Sequence, residues 1–275
     1  YFTPGTEPCV LEVDGVRIGL LVCEDGWFDE PAQAAVPAGA QVIAIMNASP
    51  YHMGKARDRE KRQSVLSQKI HTPIIYAHMV GGHDEVVFDG GSFAMQADGT
   101  LAGRARSFVE QSWMLTLEPQ AGAPLRLQGD IAPEAERDGL IGLPPYQYTY
   151  SNAEVWQALV LGTRDYVRKS GFKQVVLGLS GGMDSALVLA IAVDALGADN
   201  VRAVMMPSPY TADISWIDAR DMSERLGVRY DEIRILPTFE AFKSALAPLF
   251  EGRPEDTTEE NIQARIRGTL LMAIS

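Results

Sequence analysis

"VVLGLSGGMDSALVLAIA", Val175 to Ala192, decides the fold. Its first part is an unbroken apolar run ending at Leu179, the pattern of a strand with both faces covered. Gly181 and Gly182 then let the backbone turn tightly and approach a ligand closely. Ser180 and Ser185 flank the turn with hydroxyls, and an apolar helix starts at about Asp184. Strand, glycine turn and helix N-terminus together aim backbone N–H groups at one spot, which makes an anion site. In a parallel sheet that spot lies where ligands bind, at the carboxyl ends of the strands.

Asp184 decides what kind of anion site this is. A carboxylate inside a phosphate loop repels phosphates unless a cation such as Mg²⁺ bridges the two. The loop has no lysine, so it is not a Walker A loop. The plainer reading is a Gly-Gly turn with Asp184 as a helix cap.

The same alternation continues outward from this segment. "SNAEVWQALVLGTRDYVRKSG" is an amphipathic helix with a Ser/Asn start and a Gly stop. Beyond the loop follow a strand "VRAVMMP", a helix "DISWIDARDMSERLG", a strand "RYDEIRI" and a helix "TFEAFKSALAPLF". Repeated strand–helix units predict a doubly wound parallel sheet over residues 151–275. "TTEENIQARIRGTLLMAIS" reads as a further helix, capped by Thr257 or Thr258 with glutamate following.

Residues 1–118 read as a second α/β unit. "VRIGLLVC", "AQVIAIMNAS" and "TPIIYAHMVG" are near-continuous apolar strands, and "PAQAAVPAGA" is a small-residue helical stretch. "KARDREKRQSVLSQKIH" has helical spacing, with Val65, Leu66 and Ile70 on one side. "GGSFAMQADGTLAGRA" predicts a hairpin turning at Asp98-Gly99, and "SWMLTLEP" closes the series. Residues 119–150 are rich in Pro and Gly and read as a connector.

Composition narrows the partners. A length of 275 residues favours two domains, and the net charge of −12 argues against a general nucleic-acid binder. No apolar run approaches the ~18–20 residues of a membrane span. Two cysteines make no disulfide framework, so a reducing, cytoplasmic setting is expected. The first residue is Tyr and no signal-peptide pattern opens the chain, which reads as a fragment or a processed chain.

"RIGLLVCEDGW", Arg17 to Trp27, sets Cys23 at a strand end before two carboxylates. A thiol there is a candidate nucleophile, but none of the four histidines carries the signature of a Cys–His pair. Taken alone, Cys23 reads as a small buried hydrophobe, and Cys9 as structural.

Two resemblances connect these segments. "SGGMDS" resembles the loop of the ATP pyrophosphatases, which adenylate a carboxylate or carbonyl and release pyrophosphate. This implies that Gly178, Leu179, Ser180, Gly181, Gly182, Met183, Asp184 and Ser185 hold the ATP pyrophosphate, with Asp184 on Mg²⁺. "CEDGW", with "NASPYHMGKARDR" and "FDGGSF" behind it, resembles the cysteine elbow of nitrilase-like amidases. In that family a glutamate acts as general base and a lysine stabilises the oxyanion, both upstream of the cysteine. Neither matches a residue here, so Cys23's activators are expected outside this sequence, and no effective glutaminase activity is expected from the chain as it stands. By the same resemblance Ser49 and Lys55 bind glutamine, the lysine through its α-carboxylate.

The combination resembles the glutamine-dependent NAD⁺ synthetases. The fold implied is a partial nitrilase-like α-β-β-α sandwich followed by a doubly wound, Rossmann-like parallel sheet of the ATP-pyrophosphatase type. The activity implied is ATP-dependent amidation of deamido-NAD⁺ with ammonia from glutamine. Asn261 and Arg265, four residues apart in "EENIQAR", would contact deamido-NAD⁺. Mg²⁺ is the implied cofactor, ATP a co-substrate, and a homo-oligomer the implied full-length state. Further ATP and Mg²⁺ residues of the family are expected beyond Ser275. Two readings stand against this one. Another adenylating enzyme with the same loop, such as a tRNA-thiolating one, would need a basic surface and often cysteine pairs, and neither is present. The other is a nucleotide-binding remnant without turnover.

Overall fold

The computed structural model describes residues 5–130, 152–250, 254 and 256–275. The chain forms two compact units, Tyr1–Gly162 and Thr163–Ser275. In chain order the first contains β1 (Cys9–Val13), β2 (Val16–Val22), a 3-10 turn (Cys23–Trp27), α1 (Glu30–Ala35), β3 (Val42–Asn47) and α2 (Lys55–Ile70). Then come β4 (Ile74–His78), β5 (Val80–His83), β6 (Val86–Asp89), β7 (Phe93–Met95), β8 (Leu101–Arg104), β9 (Leu115–Gln120) and β10 (Ala123–Gly129).

Six strands form one mixed sheet in the order β1-β2-β3-β4-β7-β8. Its centre, β2-β3-β4, is parallel, and β1, β7 and β8 pair antiparallel. The expected Asp98-Gly99 hairpin joins β7 to β8, with Gly99 at φ 82°. Every second residue of a strand shares a face. Leu21, Ile43, Ile45, Ile74, Tyr76, Phe93 and Met95 therefore form one apolar layer, packed with Ala32 and Ala35 of α1 and Leu66 and Ile70 of α2. Each large side chain buried there contributes roughly 1.5–3 kcal/mol relative to exposure. The apolar strands predict cover on both faces. Among the described residues, however, Val22 and Met46 on the opposite face stay 56% and 50% exposed.

Three local expectations are corrected. Leu66 and Ile70 are buried, but Val65 is 52% exposed. The inward stripe of α2 is Arg59, Gln63, Leu66, Ser67 and Ile70, so most of it is polar. The expected connector begins with structure: β9 reaches Gln120 and β10 pairs antiparallel beside it. Alternation of Leu125 and Leu127, both buried, is the strand signal there, and flanking Pro and Gly obscure it. Gln96 anchors the ribbon, donating to the Leu127 carbonyl at 2.6 Å and accepting from its N–H at 3.0 Å. Connector residues 131–150 lie outside the described residues, as does Ser151.

The next helix, α3 (Asn152–Lys169), runs across the boundary of the two units. The two compact units therefore divide within this helix. Ala158 and Leu161 pack with Phe108, Tyr51, Val80 and Val87, which holds the first half of α3 in the first unit.

Beyond α3 the second unit contains β11 (Val175–Gly178), α4 (Met183–Leu196), β12 (Val201–Met205), α5 (Asp213–Leu226), β13 (Arg229–Glu232), α6 (Leu236–Leu246) and α7 (Thr257–Ile274). Its three strands form a parallel sheet in the order β11-β12-β13. Val176 and Val204 face a core with Ile235, Phe239, Ile262 and Ile266 of the α6–α7 side. Helices α4 and α5 pack against the same strands. The cap of α7 is Asp256, not a threonine. Its carboxylate accepts from the Thr258 N–H at 2.8 Å while Glu259 accepts from the Asp256 N–H at 2.7 Å. The aspartate and the glutamate each satisfy one N–H group, and the threonines lie inside the helix.

Candidate functional site

The glycine turn has the expected local geometry. Strand β11 ends at Gly178, and α4 starts at Met183 with Gly182 as its cap, so Asp184 lies in the first turn and is not the cap. Gly181 has φ 80°, a left-handed conformation that glycine supplies without strain. The two serine hydroxyls hold the turn. Ser180 N–H donates to Ser185 Oγ at 3.1 Å, and Gly182 N–H donates to Ser180 Oγ at 3.1 Å. The hydroxyls meet at 2.9 Å, and Ser185 Oγ donates to the Gly182 carbonyl at 3.0 Å. These bonds leave the first N–H groups of α4, which have no intrahelical acceptor, to face an anion.

The eight residues of this segment are not equivalent. Leu179 is buried and offers no side chain to a ligand. A Cβ on Gly178 would meet Met206 and Leu271, so this residue packs inward. Met183 and Asp184 are exposed. Among the described residues no group of three or more His, Cys, Asp or Glu could hold a metal, at Asp184 or elsewhere. One carboxylate suits a magnesium ion whose other ligands are phosphate oxygens and water, and suits no all-protein cage.

Asn261 and Arg265 share an exposed face of α7, as their spacing requires. Asn261 donates to the Thr257 carbonyl at 3.0 Å, and Arg265 Nη1 donates to Asn261 Oδ1 at 3.3 Å. Arg267, which the sequence did not single out, donates from Nε to the Met206 carbonyl at 3.0 Å. It ties α7 to the chain just past β12.

In the first unit, Cys23 follows β2 directly. It is half-buried with φ 49°, a conformation that a side chain with Cβ rarely adopts. Asp25 Oδ2 accepts from the Val22 N–H at 2.9 Å and closes the turn. Helix α2 holds it from the other side, where Gln63 Nε2 and Arg62 Nε donate to the Gly26 carbonyl at 2.9 and 3.2 Å. Val22 pairs with Met46 in the parallel sheet, so Cys23 and Asn47 leave neighbouring strand ends together. Ser49 lies two residues on, its N–H donating to Asn47 Oδ1 at 2.8 Å. Lys55 Nζ sits 4.2 Å from the centroid of the Trp27 ring, on the turn that carries Cys23. The three amidase-side candidates thus gather at one end of the sheet.

Beneath them lies a cluster that the sequence did not reveal. Arg59 Nη2 donates to Asp89 Oδ1 at 2.6 Å and to Oδ2, and Arg59 Nη1 contacts His78 Nε2. His78 Nδ1 lies 3.0 Å from the Asn47 carbonyl, and its Nε2 is 3.2 Å from Asp89 Oδ1. All three side chains are at most 3% exposed. Burial would raise the Asp89 carboxyl, but the His78 hydrogen bond and the Arg59 charge hold it below its ordinary value. Next to it, burial and the carboxylates of Glu154 and Asp89 push the Tyr51 phenol up to about 12. Burial and the Asp89 charge also raise Glu154. Arg59 stands four residues after Lys55 on the same helix, and Asp89 lies in "FDGGSF", the only signals available.

Comparison with known proteins places both halves. Residues 1–123 match the carbon-nitrogen hydrolase family, and residues 155–275 match the NAD synthase family. A glutamine-dependent NAD(+) synthetase of Acinetobacter baylyi is 41% identical over 275 residues, covering 100% of this chain and 48% of the relative. One from Xylella fastidiosa is 43% identical, covering 99% and 47%. The solved glutamine-dependent NAD+ synthetase of Acinetobacter baumannii, in complex with ADP, superposes with a TM-score of 0.83 at 39% identity, covering 100% of this chain and 49% of that one. The chain therefore joins a carbon-nitrogen hydrolase segment to an NAD synthase segment. It belongs to the family of glutamine-dependent NAD(+) synthetases. It spans about half the length of the curated relatives it matches. Among the described residues no helix is long and apolar enough to cross a membrane.

Proposed function

We propose that this chain carries parts of both sites of an enzyme that amidates deamido-NAD⁺ to NAD⁺ with ammonia from glutamine. The observation behind the reading is the pairing, on one chain, of a strained cysteine turn at one strand end with an "SGGMDS" turn at another.

On the amidase side, the Cys23 sulfur attacks the side-chain carbonyl carbon of glutamine. The C–N bond breaks, ammonia leaves with a proton, and water later hydrolyses the thioester to glutamate. Ser49 and Lys55 orient the substrate, with Lys55 opposing the α-carboxylate. Trp27 holds the Lys55 ammonium near that position before substrate arrives.

On the synthetase side, the first N–H groups of α4, beside the Gly181–Gly182 turn, receive the pyrophosphate portion of ATP. Magnesium, held by Asp184, supplies charge neutralisation when bound. A nicotinate carboxylate is a poor electrophile. Its oxygen attacks the α-phosphorus of ATP, pyrophosphate leaves, and the resulting mixed anhydride accepts ammonia with loss of AMP. Asn261 and Arg265 offer deamido-NAD⁺ an amide and a cation on one helical face. A cytoplasmic, homo-oligomeric enzyme is part of the same reading.

Pyrophosphate release from ATP with deamido-NAD⁺ and ammonia tests this. The expected result is magnesium-dependent release with NAD⁺ formed. Asp184→Asn is expected to weaken magnesium-dependent ATP binding about tenfold or more while leaving magnesium-free binding alone. Unchanged magnesium-dependent affinity in that variant would remove Asp184 from the metal site. ATP binding without any turnover would favour a nucleotide-binding remnant.

A further inference from the structure

We propose that Arg59, His78 and Asp89 form a buried positioning triad that presents Ser49 to glutamine, an inference resting on the glutamine-site reading above. Three ionisable side chains from α2, β4 and β6 meet out of water. Desolvating such groups costs several kcal/mol per ion, and apolar residues of similar volume often serve stability as well or better. Their contacts converge on one segment, Asn47 to Tyr51. His78 Nδ1 donates to the Asn47 carbonyl, since a carbonyl only accepts, and Met79 N–H donates to the same oxygen at 3.0 Å. Arg59 Nη1 contacts Nε2 of the same ring. Arg59 Nη1 also reaches Ser49 Oγ at 3.4 Å. Tyr51 N–H donates to the Val87 carbonyl at 2.7 Å, two residues before Asp89. The segment is thus held on both sides of Ser49.

The polarity of these bonds gives the triad its role. A guanidinium has donors and no acceptor. Ser49 Oγ therefore accepts from Arg59, and its own proton is shared between the Tyr76 hydroxyl beside it and a substrate oxygen. Asp89 fixes the guanidinium, His78 fixes the backbone, and together they set the direction of one hydroxyl beside the Cys23 turn.

The test is L-glutamine titration of the whole chain by calorimetry, with thermal melts run in parallel. Arg59→Lys keeps the charge and loses the fork, and should weaken glutamine binding about tenfold, as should Ser49→Ala. The double variant should bind no more weakly than either single one, because Arg59 acts through Ser49. A merely structural role would lower the melting temperature and leave the two losses additive. If Arg59→Lys does not fold, His78→Gln, which leaves the Arg59–Asp89 ion pair intact, gives the same comparison with and without Ser49→Ala. Glutamine bound equally by wild type and the triad variants, or additive losses, would overturn the triad's role alone. A wild-type chain that binds no glutamine would overturn the glutamine-site reading, and the role with it.

Discussion

Gly181→Ala is expected to abolish ATP binding and to destabilise the second unit. The residue lies at φ 80°, and an added Cβ would stand 2.2 Å from the Ser215 carbonyl oxygen and 2.6 Å from its Cα. Both obstacles are backbone atoms in the first turn of α5, so no side-chain rotation relieves them. Left-handed strain and overpacking together place the loss at roughly 2–5 kcal/mol. The turn and α5 must separate, and the N–H groups that converge on the anion then diverge. Gly182→Ala is the control. Its φ is −89°, and the new Cβ meets only Ser180 Oγ at 3.3 Å. Urea melts and ATP titrations of the two variants check the contrast. Wild-type affinity in Gly181→Ala would show that the close approach of α5 plays no part in binding.

Asp89→Asn should be nearly as disruptive at neutral pH and much less so in acid. Removing one partner of a buried ion pair typically costs about 3–5 kcal/mol, because the other charge is left uncompensated. Here that charge is Arg59, 2% exposed. The folded-state pKa of Asp89 lies below its unfolded value. Between those two values the unfolded chain binds more protons, so stability rises with pH. The contribution is complete above the unfolded aspartate value near 4 and is lost as pH falls through the folded one. Urea melts of wild type and Asp89→Asn at pH 7 and pH 3 should show a wide gap narrowing. An equal gap at both pH values would mean that Asp89 is not a carboxylate in the native state.

Local and distant information separate cleanly in this chain. The Gly181–Gly182 turn, the Asp98-Gly99 hairpin and the strand-end position of Cys23 are set by neighbours within a few residues, and the sequence shows them. Ser49 and Lys55 rest on the family resemblance. Arg59 is not legible in the sequence, because its partners lie 19 and 30 residues away and nothing nearby marks a helix arginine as buried. Val65 failed for a related reason. Hydrophobic spacing predicts an apolar stripe, whereas the inward face of α2 is built around Arg59 and Gln63. Strand β10 was missed because Pro and Gly around it outweighed two alternating leucines. The serine hydroxyls of the glycine turn were expected to await phosphate, and they are engaged in shaping the loop.

At residue 23 the backbone's preference and the chemistry point in opposite directions. The φ of 49° would suit glycine, and a chain drifting toward easier folding would exchange the whole side chain for a hydrogen and relax. The sulfur therefore stands against a downhill path. On the proposed amidase reading, what keeps the position occupied is the glutamine carbonyl that meets that thiol.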